Sequence, residues 1–416
     1  MNSFEKLSSL CSVITDGSHY SPVSVEKGIP MLSVKDMTNL GFNYDNCNYI
    51  TNGEYEKMLQ NGCVPQVNDV LIAKDGSYLK HVFVVEKAVD QAILSSIGIL
   101  RPNCKLIDPY YLKYYLSSDF VKKQVAKKYV SGSALPRIIL KNFKDIDIPM
   151  IELNEQKKIS SVLKNIDDKI LNNNRIISEL ESMSKTVYDY WFLQFEFPNE
   201  NGKPYKSSGG KMVWNDELKR EIPEGWRNGN LYDVADFVNG LACQKYRPKN
   251  ENDDKLRVIK ITEMHDGFTE NTEFVSSDVP TKYIIHDGDI LFSWSASLEV
   301  MLWNNGKGCL NQHIFKVNPK NYGAHYVYMQ LASYVINFVK LAEARKTTMG
   351  HITTDHLKQS KICLPDSKVA DLYEQKMLPL FTQITNLKQE NQKLASLRDF
   401  LLPMLMNGQV TFKEEA

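Results

Sequence analysis

Apolar positions recur along this chain in two long runs whose steps alternate between four and three. The first is Ile159, Leu163, Ile166, Ile170, Asn173, Ile177, Leu180, Ser184, Val187 and Trp191. The second is Leu380, Ile384, Leu387, Asn391, Leu394, Arg398, Leu401 and Leu405. A mean step of 3.5 residues is the period of a coiled-coil seam. A helix of about forty residues spans roughly 60 Å, and such a rod needs a partner helix. The two runs superimpose with one shift of 214 positions, which relates Ile166 to Leu380, Ile170 to Ile384, and Val187 to Leu401. Each run follows a strand-like phrase that ends in proline, Ile146-Asp147-Ile148-Pro149 and Ile362-Cys363-Leu364-Pro365. A polar cap comes next, Asn154 with Glu155 in the first turn, and Asp366 in the second case. A further phrase, Asp69-Val70-Leu71-Ile72, recurs as Asp289-Ile290-Leu291-Phe292. The chain reads as a duplicated unit, a mixed domain followed by a long helix.

The pattern divides the sequence as follows. Residues 1–152 form a first mixed domain, in which short β-branched and aromatic runs (70–73, 82–85, 97–100) alternate with Gly, Asn and Asp turn clusters. A helix is expected over 110–128, then a loop over 131–137. Residues 153–194 are the central long helix. Residues 195–226, polar and punctuated by Gly and Pro, read as a linker. Residues 227–365 form the second mixed domain. Residues 366–408 form the C-terminal long helix, stopped by Gly408, and 409–416 form a tail. The fold class is α+β. Proline removes a hydrogen bond inside a helix, so Pro379 is expected in the first turn of the long helix, with 367–377 a separate short one.

Each seam carries one asparagine. A two-fold axis near position 175 would set Asn173 opposite Asn391 in an antiparallel pair, and a buried seam asparagine fixes register and orientation. These two residues are the expected register pair of an antiparallel coiled coil.

Composition narrows the function. With 43% hydrophobic and 24% charged residues, the chain is an ordinary globular sequence, with no apolar run near the roughly 20 residues that span a bilayer and no signal-peptide pattern at the start. Seven scattered cysteines without a Cys-x-x-Cys pair suggest free thiols in a reducing cytoplasm and no zinc site. Net charge is zero, so any grip on nucleic acid must come from local patches. Catalytic motifs are missing: there is no phosphate loop, no Asn-Pro-Pro-aromatic methyltransferase motif and no metal signature, since His351 and His356 are spaced unsuitably. Asp366, Glu374 and Lys376 imitate a nuclease string, but Glu374 and Lys376 lie in helical sequence, where residues two apart diverge.

Cations cluster between 110 and 144 as Lys113, Lys122, Lys123, Lys127, Lys128, Arg137, Lys141 and Lys144, with Asp119 the one acid. Such a stretch suits phosphate contacts. The loops that end the repeated strands suit base reading. Their candidates in the first half are Lys74, Ser77, Tyr78, Lys80, Ser131, Ser133 and Arg137. In the second half they are Ser293, Trp294, Ser295, Arg345, Lys346, Thr347, Thr348 and His351. The loops differ between halves while the surrounding pattern repeats, which points to two unlike specificities on one scaffold.

Together, the Asn68-Asp69-Val70-Leu71 and Gly288-Asp289-Ile290-Leu291 phrases, the Asn154-Glu155-Gln156 helix entry and Ile222-Pro223-Glu224-Gly225-Trp226 resemble the DNA-specificity subunit of type I restriction-modification systems. The resemblance covers essentially the whole chain. It implies two target-recognition domains, each reading one half of a split, asymmetric DNA site, with antiparallel helices setting the spacer. It also implies docking of two modification subunits, which carry methyl transfer and bind S-adenosylmethionine, and recruitment of restriction subunits that use ATP and Mg. No catalytic site, metal or cofactor is expected in this chain itself, and its location is expected to be cytoplasmic. The alternatives are a coiled-coil protein-interaction scaffold without DNA binding and, more remotely, a nuclease using Asp366, Glu374 and Lys376.

Overall fold

The repeated Asp phrase is a tight turn feeding a strand. Asn68 (φ 71°) and Gly288 (φ 90°) both sit in the left-handed region, which Asn and Gly tolerate best. The next residue then turns its carboxylate back. Gln66 N–H donates to Asp69 Oδ2 at 2.7 Å, and His286 N–H donates to Asp289 Oδ2 at 2.8 Å. A cation completes each turn. Arg101 clamps Asp69 through Nε at 2.8 Å and Nη2 at 2.9 Å, and Lys316 Nζ meets Asp289 at 2.8 Å. The motif recurs because both halves need the same reversal before the strands Val70–Ala73 and Ile290–Ser293.

The computed structural model describes residues 3–38, 40–75, 79–131, 137–250, 252–295, 297–344 and 352–410, with the side chains of 126–131, 137–138 and 341–344 left aside. The chain is α+β and divides into two compact units, Met1–Asn172 with Gln392–Ala416, and Asn173–Asn391. The divisions fall inside the two long helices, Leu153–Tyr188 and Ser367–Met406.

In the first unit a four-stranded antiparallel sheet runs Cys11–Asp16, Ile97–Pro102, Val70–Ala73, Val82–Val84. A small mixed sheet carries one parallel pair, Ile29–Leu32 with Ala92–Ile93, and Ser3–Lys6 pairs with Asp147–Met150. The second unit repeats the scheme. Its four-stranded sheet runs Ala235–Asn239, Ile314–Pro319, Ile290–Ser293, Glu299–Leu302. Its mixed sheet has the parallel pair Lys255–Ile259 and Gly308–Leu310, and Arg227–Gly229 pairs with Ile362–Leu364.

The long helices begin 214 positions apart, at Leu153 and Ser367, the shift read from the seams. Every seam position of the first run is buried or half-buried, so the stripe faces protein along its length. The first helix starts one residue before the expected Asn154 cap and ends in a π-helical turn, Asp189–Leu193. Asp366 caps the second helix, accepting from Lys368 N–H at 2.8 Å.

Three expectations about local structure are corrected. The helix Ser367–Met406 runs through Pro379 and Pro403 without a separate first segment. Both prolines are exposed, as are Gln375 and Asp399, whose carbonyls lose their partners, so water can satisfy them. The buried stripe Tyr373, Met377, Phe381, Ile384 holds the helix on the core across Pro379. Second, the helix expected over 110–128 is two, Pro109–Ser117 and Asp119–Tyr129. Ser118 breaks it: its backbone is extended (ψ 144°), and its hydroxyl donates to Tyr115 O at 2.7 Å, offering the chain an alternative to the helical bond. Third, the segment read as a linker is ordered. It contains the hairpin Met212–Asn215 with Arg220–Pro223. Phe197 stacks on Trp226 and Tyr205 with ring centres 5.0 Å and 4.6 Å apart. Its anchors lie on irregular backbone and so leave no period.

Each long helix is tied to its domain at the start of a domain helix. Gln156 Oε1 accepts from Asp108 N–H at 2.9 Å, beside the helix Pro109–Ser117. Glu374 does the same for Ala324–Ala344, accepting from His325 Nδ1 at 2.7 Å and from the His325 and Tyr326 N–H groups. Burial opposes the Glu374 charge, but these donors outweigh it and hold the carboxyl below its ordinary value. A carboxylate at a helix N-terminus is also favoured by the helix dipole.

Candidate nucleic-acid interface

Both units build the same corner where the repeated strands end. Glycine follows the first strand of each sheet, Gly17 after Asp16 and Gly240 after Asn239. A β-carbon there would lie 2.2 Å from Ile93 O or 2.0 Å from Asn311 O, so no larger residue fits without moving backbone. The backbone bonds correspond: Gly17 N to Ile97 O and Ser18 N to Ile93 O in one unit, Gly240 N to Ile314 O and Leu241 N to Leu310 O in the other. Directly after the hairpin strand, Lys74 N bonds Ser96 O and Trp294 N bonds His313 O.

On this shared frame the side chains differ. Lys74 Nζ donates to Asp16 Oδ2 in a buried ion pair, and His19 Nε2 lies 3.2 Å from Asp16 Oδ1. In the second unit Trp294 Nε1 donates to Asn239 Oδ1 at 2.9 Å, and the indole packs 5.4 Å from the His313 ring and 5.9 Å from Phe315. Lys74 and Trp294, both singled out from the sequence, thus occupy corresponding positions. Asp16, His19 and Asn239 were missed, although an Asp-Gly and an Asn-Gly dipeptide at the end of matching strands was a legible turn signal.

The structure places the remaining candidates unevenly. Lys74 is 2% exposed, so it acts on Asp16 and is not the surface cation its loop suggested. Ser293 is wholly buried, with its hydroxyl donating to the carbonyls of Ser295 and Ser297, and Ser295 is 8% exposed. These two serines shape the turn from within. Lys80 is exposed. Ser131 pairs with Arg137 in a two-stranded ladder, and Lys127 and Lys128 lie on the helix Asp119–Tyr129, but the side chains of all four lie outside the described set. Ser77, Tyr78, Ser133, Arg345, Lys346, Thr347, Thr348 and His351 lie outside the described residues. The chain re-enters the described set at Ile352, whose N–H donates to Trp294 O at 3.2 Å.

The basic stretch also divides. Lys113 is buried and belongs to a cluster centred on Asp167. That carboxylate accepts from Lys113 Nζ at 2.5 Å, Tyr114 Oη at 2.7 Å and Arg398 Nη1 at 3.0 Å. Burial raises the Asp167 carboxyl, but the three donors outweigh it and hold it below its ordinary value of 3.8. The cluster forms the floor of a cavity of about 300 Å³, also lined by Lys80, Lys122 and Asp119. Burial, and next the charges of Lys80 and Lys122, hold the His81 imidazole below its ordinary value. Lys123, Lys141 and Lys144 are exposed.

The nuclease string does not assemble. Asp366 caps a helix and Glu374 is engaged by His325. Among the described residues no group of three or more His, Cys, Asp or Glu is placed to hold a metal ion. Among them, too, no helix is long and apolar enough to cross a membrane.

Comparison with known proteins agrees with the duplicated frame. The profile of the type I restriction modification DNA specificity domain matches twice, over residues 6–182 and 223–398. The chain is 25% identical over 316 residues to the type I restriction enzyme MjaIX specificity subunit of Methanocaldococcus jannaschii, covering 72% of this chain and 69% of that one. It is 21% identical over 389 residues to the HindI specificity subunit of Haemophilus influenzae, covering 80% and 84%. Its fold resembles the crystal structure of a type I restriction-modification S subunit from M. genitalium, with a TM-score of 0.55 at 13% identity, covering 100% of this chain and 96% of that one.

Proposed function

This chain belongs to the type I restriction modification DNA specificity family, its function is the recognition of DNA sequence, and on that footing we propose that each of its two units reads one half of a bipartite, asymmetric site. The observation that carries this reading is the shared corner with unlike ends, Asp16 with Lys74 in one half and Asn239 with Trp294 in the other. A frame built twice with the same backbone bonds but different side chains suits two readers of different sequence.

The long helices act as an antiparallel coiled coil that sets the unspecified gap between half-sites. Supporting this, Asn173 meets Asn391 while Glu181, eight residues on, meets Lys388, three residues back. In the first unit Asp167 meets Arg398 in the same sense. Two modification subunits dock on the helices and domains and supply methyl transfer with S-adenosylmethionine. Restriction subunits add ATP- and Mg-dependent translocation and cleavage. The chain itself contributes binding and no catalytic step, and it works in the cytoplasm.

The test is single-molecule sequencing of methylation in cells that carry the intact operon. The reading requires one motif made of two half-sites at a fixed separation. Methylation without sequence preference would end it, and would favour the alternative of a coiled-coil scaffold.

A further inference from the structure

Asn239 is exposed at the end of the strand Ala235–Asn239. Its Oδ1 accepts from Trp294 Nε1 at 2.9 Å. An indole N–H only donates, so the orientation of the amide is fixed by chemistry: the oxygen faces the indole and the NH₂ group is turned away from it. Among the described residues that NH₂ has no partner.

The indole is itself held. Trp294 N–H bonds His313 O at 3.3 Å, its carbonyl accepts from Ile352 N–H at 3.2 Å, and its ring lies against His313 and Phe315. The backbone under Asn239 is equally constrained, since Asn239 pairs with Phe315 in the sheet and Gly240 is wedged against Asn311 O. At the corresponding place in the first unit stands Asp16, with one oxygen on Lys74 and the other beside His19, and its side chain 7% exposed. At this position the first half therefore presents a carboxylate with both oxygens engaged, and the second an amide donor in a set direction.

We propose that Asn239 is a specificity-determining residue of the second recognition domain, a pre-aligned NH₂ donor for an acceptor atom on a base edge, with Trp294 as its positioning residue. The proposal rests on the reading that this domain binds DNA. In the major groove the acceptors are the purine N7, guanine O6 and thymine O4, whereas cytosine offers the N4 amine as a donor. Asn239 thus favours a base that shows an acceptor at its contact and discriminates against cytosine there.

The full chain is expressed with its modification subunits and methylation is mapped by single-molecule sequencing. Asn239→Asp keeps an oxygen for the indole but replaces the donors with an acceptor. It is expected to shift one position of the second half-site toward cytosine by about tenfold or more, leaving the first half-site unchanged. Trp294→Phe keeps an aromatic ring, removes the N–H and frees the amide to rotate, so it is expected to relax the same position. Unchanged preferences in both variants, with bipartite methylation intact, would overturn the role of Asn239 while leaving the two-reader scheme standing. Equal loss at both half-sites would reduce the pair to a structural element and overturn the proposal. A wild-type complex that methylates without a bipartite motif would instead defeat the reading on which the proposal rests.

Discussion

Asn173 Nδ2 donates to Asn391 Oδ1 at 2.9 Å, joining the one seam asparagine of each long helix. The same nitrogen reaches Glu390 Oε2 at 2.7 Å, and Asn391 Nδ2 turns to Asn174 Oδ1 at 2.8 Å. Among the described residues, Asn173 Oδ1 is buried without a partner. An unpaired buried acceptor costs about 1–3 kcal/mol, so on the proposed coiled-coil reading this contact would set register at the expense of stability. Replacing both asparagines with leucine is expected to raise the melting temperature. Asn391→Ala alone is expected to lower stability by roughly 1–3 kcal/mol by stranding more of the Asn173 amide. Thermal melts in a double-mutant cycle read both outcomes.

Asp167 is the keystone of the first unit's polar cluster. Removing one member of a buried charge pair costs about 3–5 kcal/mol, because the remaining charge is left uncompensated. Asp167→Ala is therefore expected to lose on that order, and adding Lys113→Met to restore part of it. Denaturant unfolding of the three variants separates the terms.

The pH dependence follows from two depressed carboxyls. Asp167 and Glu374 are held below their ordinary values of 3.8 and 4.5. A carboxyl depressed in the folded state stabilises it fully above its unfolded value, and that contribution is lost as pH falls through the folded value. The melting temperature is expected to hold steady above about pH 5 and to fall progressively below 4.5. Glu374→Gln is expected to flatten the upper part of that fall and Asp167→Asn the lower. Melts followed by circular dichroism from pH 3 to 6 decide it.

Lys80 and Lys122 share the cationic face near His81. If each contacts a phosphate, the double change to alanine weakens binding across all sequences alike. It also lowers the slope of log affinity against log salt by roughly one per cation removed. Fluorescence anisotropy of the assembled complex on duplex DNA at several salt concentrations measures the slope. A change confined to one sequence would instead mark these lysines as base readers.

The proposed ruler role of the helices predicts a metric change. One heptad inserted into each long helix adds about 10 Å of rise, close to three base-pair steps of about 3.4 Å. The separation between half-sites is expected to grow by about three base pairs with both half-site sequences kept. Methylation mapping of the lengthened chain reads it directly.

Much of this fold was legible because long-range period survives in sequence. The seams of Leu153–Tyr188 and Ser367–Met406, the Asp69 and Asp289 turns and the strands that follow them all repeat with regular spacing. What was not legible depends on where side chains meet. Pro379 looked like a helix break because nothing local says that it faces solvent while Tyr373 and Phe381 face the core. The 195–226 segment looked unstructured because its aromatic anchors, Phe197, Tyr205 and Trp226, obey no period. Lys74 read as a loop cation because Asp16, its partner, lies 58 positions away. Asn239 went unnoticed for the same reason, since its significance comes from Trp294 across the sheet.

The first unit borrows residues from beyond the second. Leu402, Leu405 and Met406 sit in the same apolar cluster as Leu7, Tyr111 and Leu163. During translation that cluster stays open until the whole of Asn173–Asn391 has been made, a delay on the order of 10–40 s at ~5–20 residues per second. The nascent first unit waits with greasy surface uncovered, and a ribosome that stops early releases a fragment in which that unit never closes.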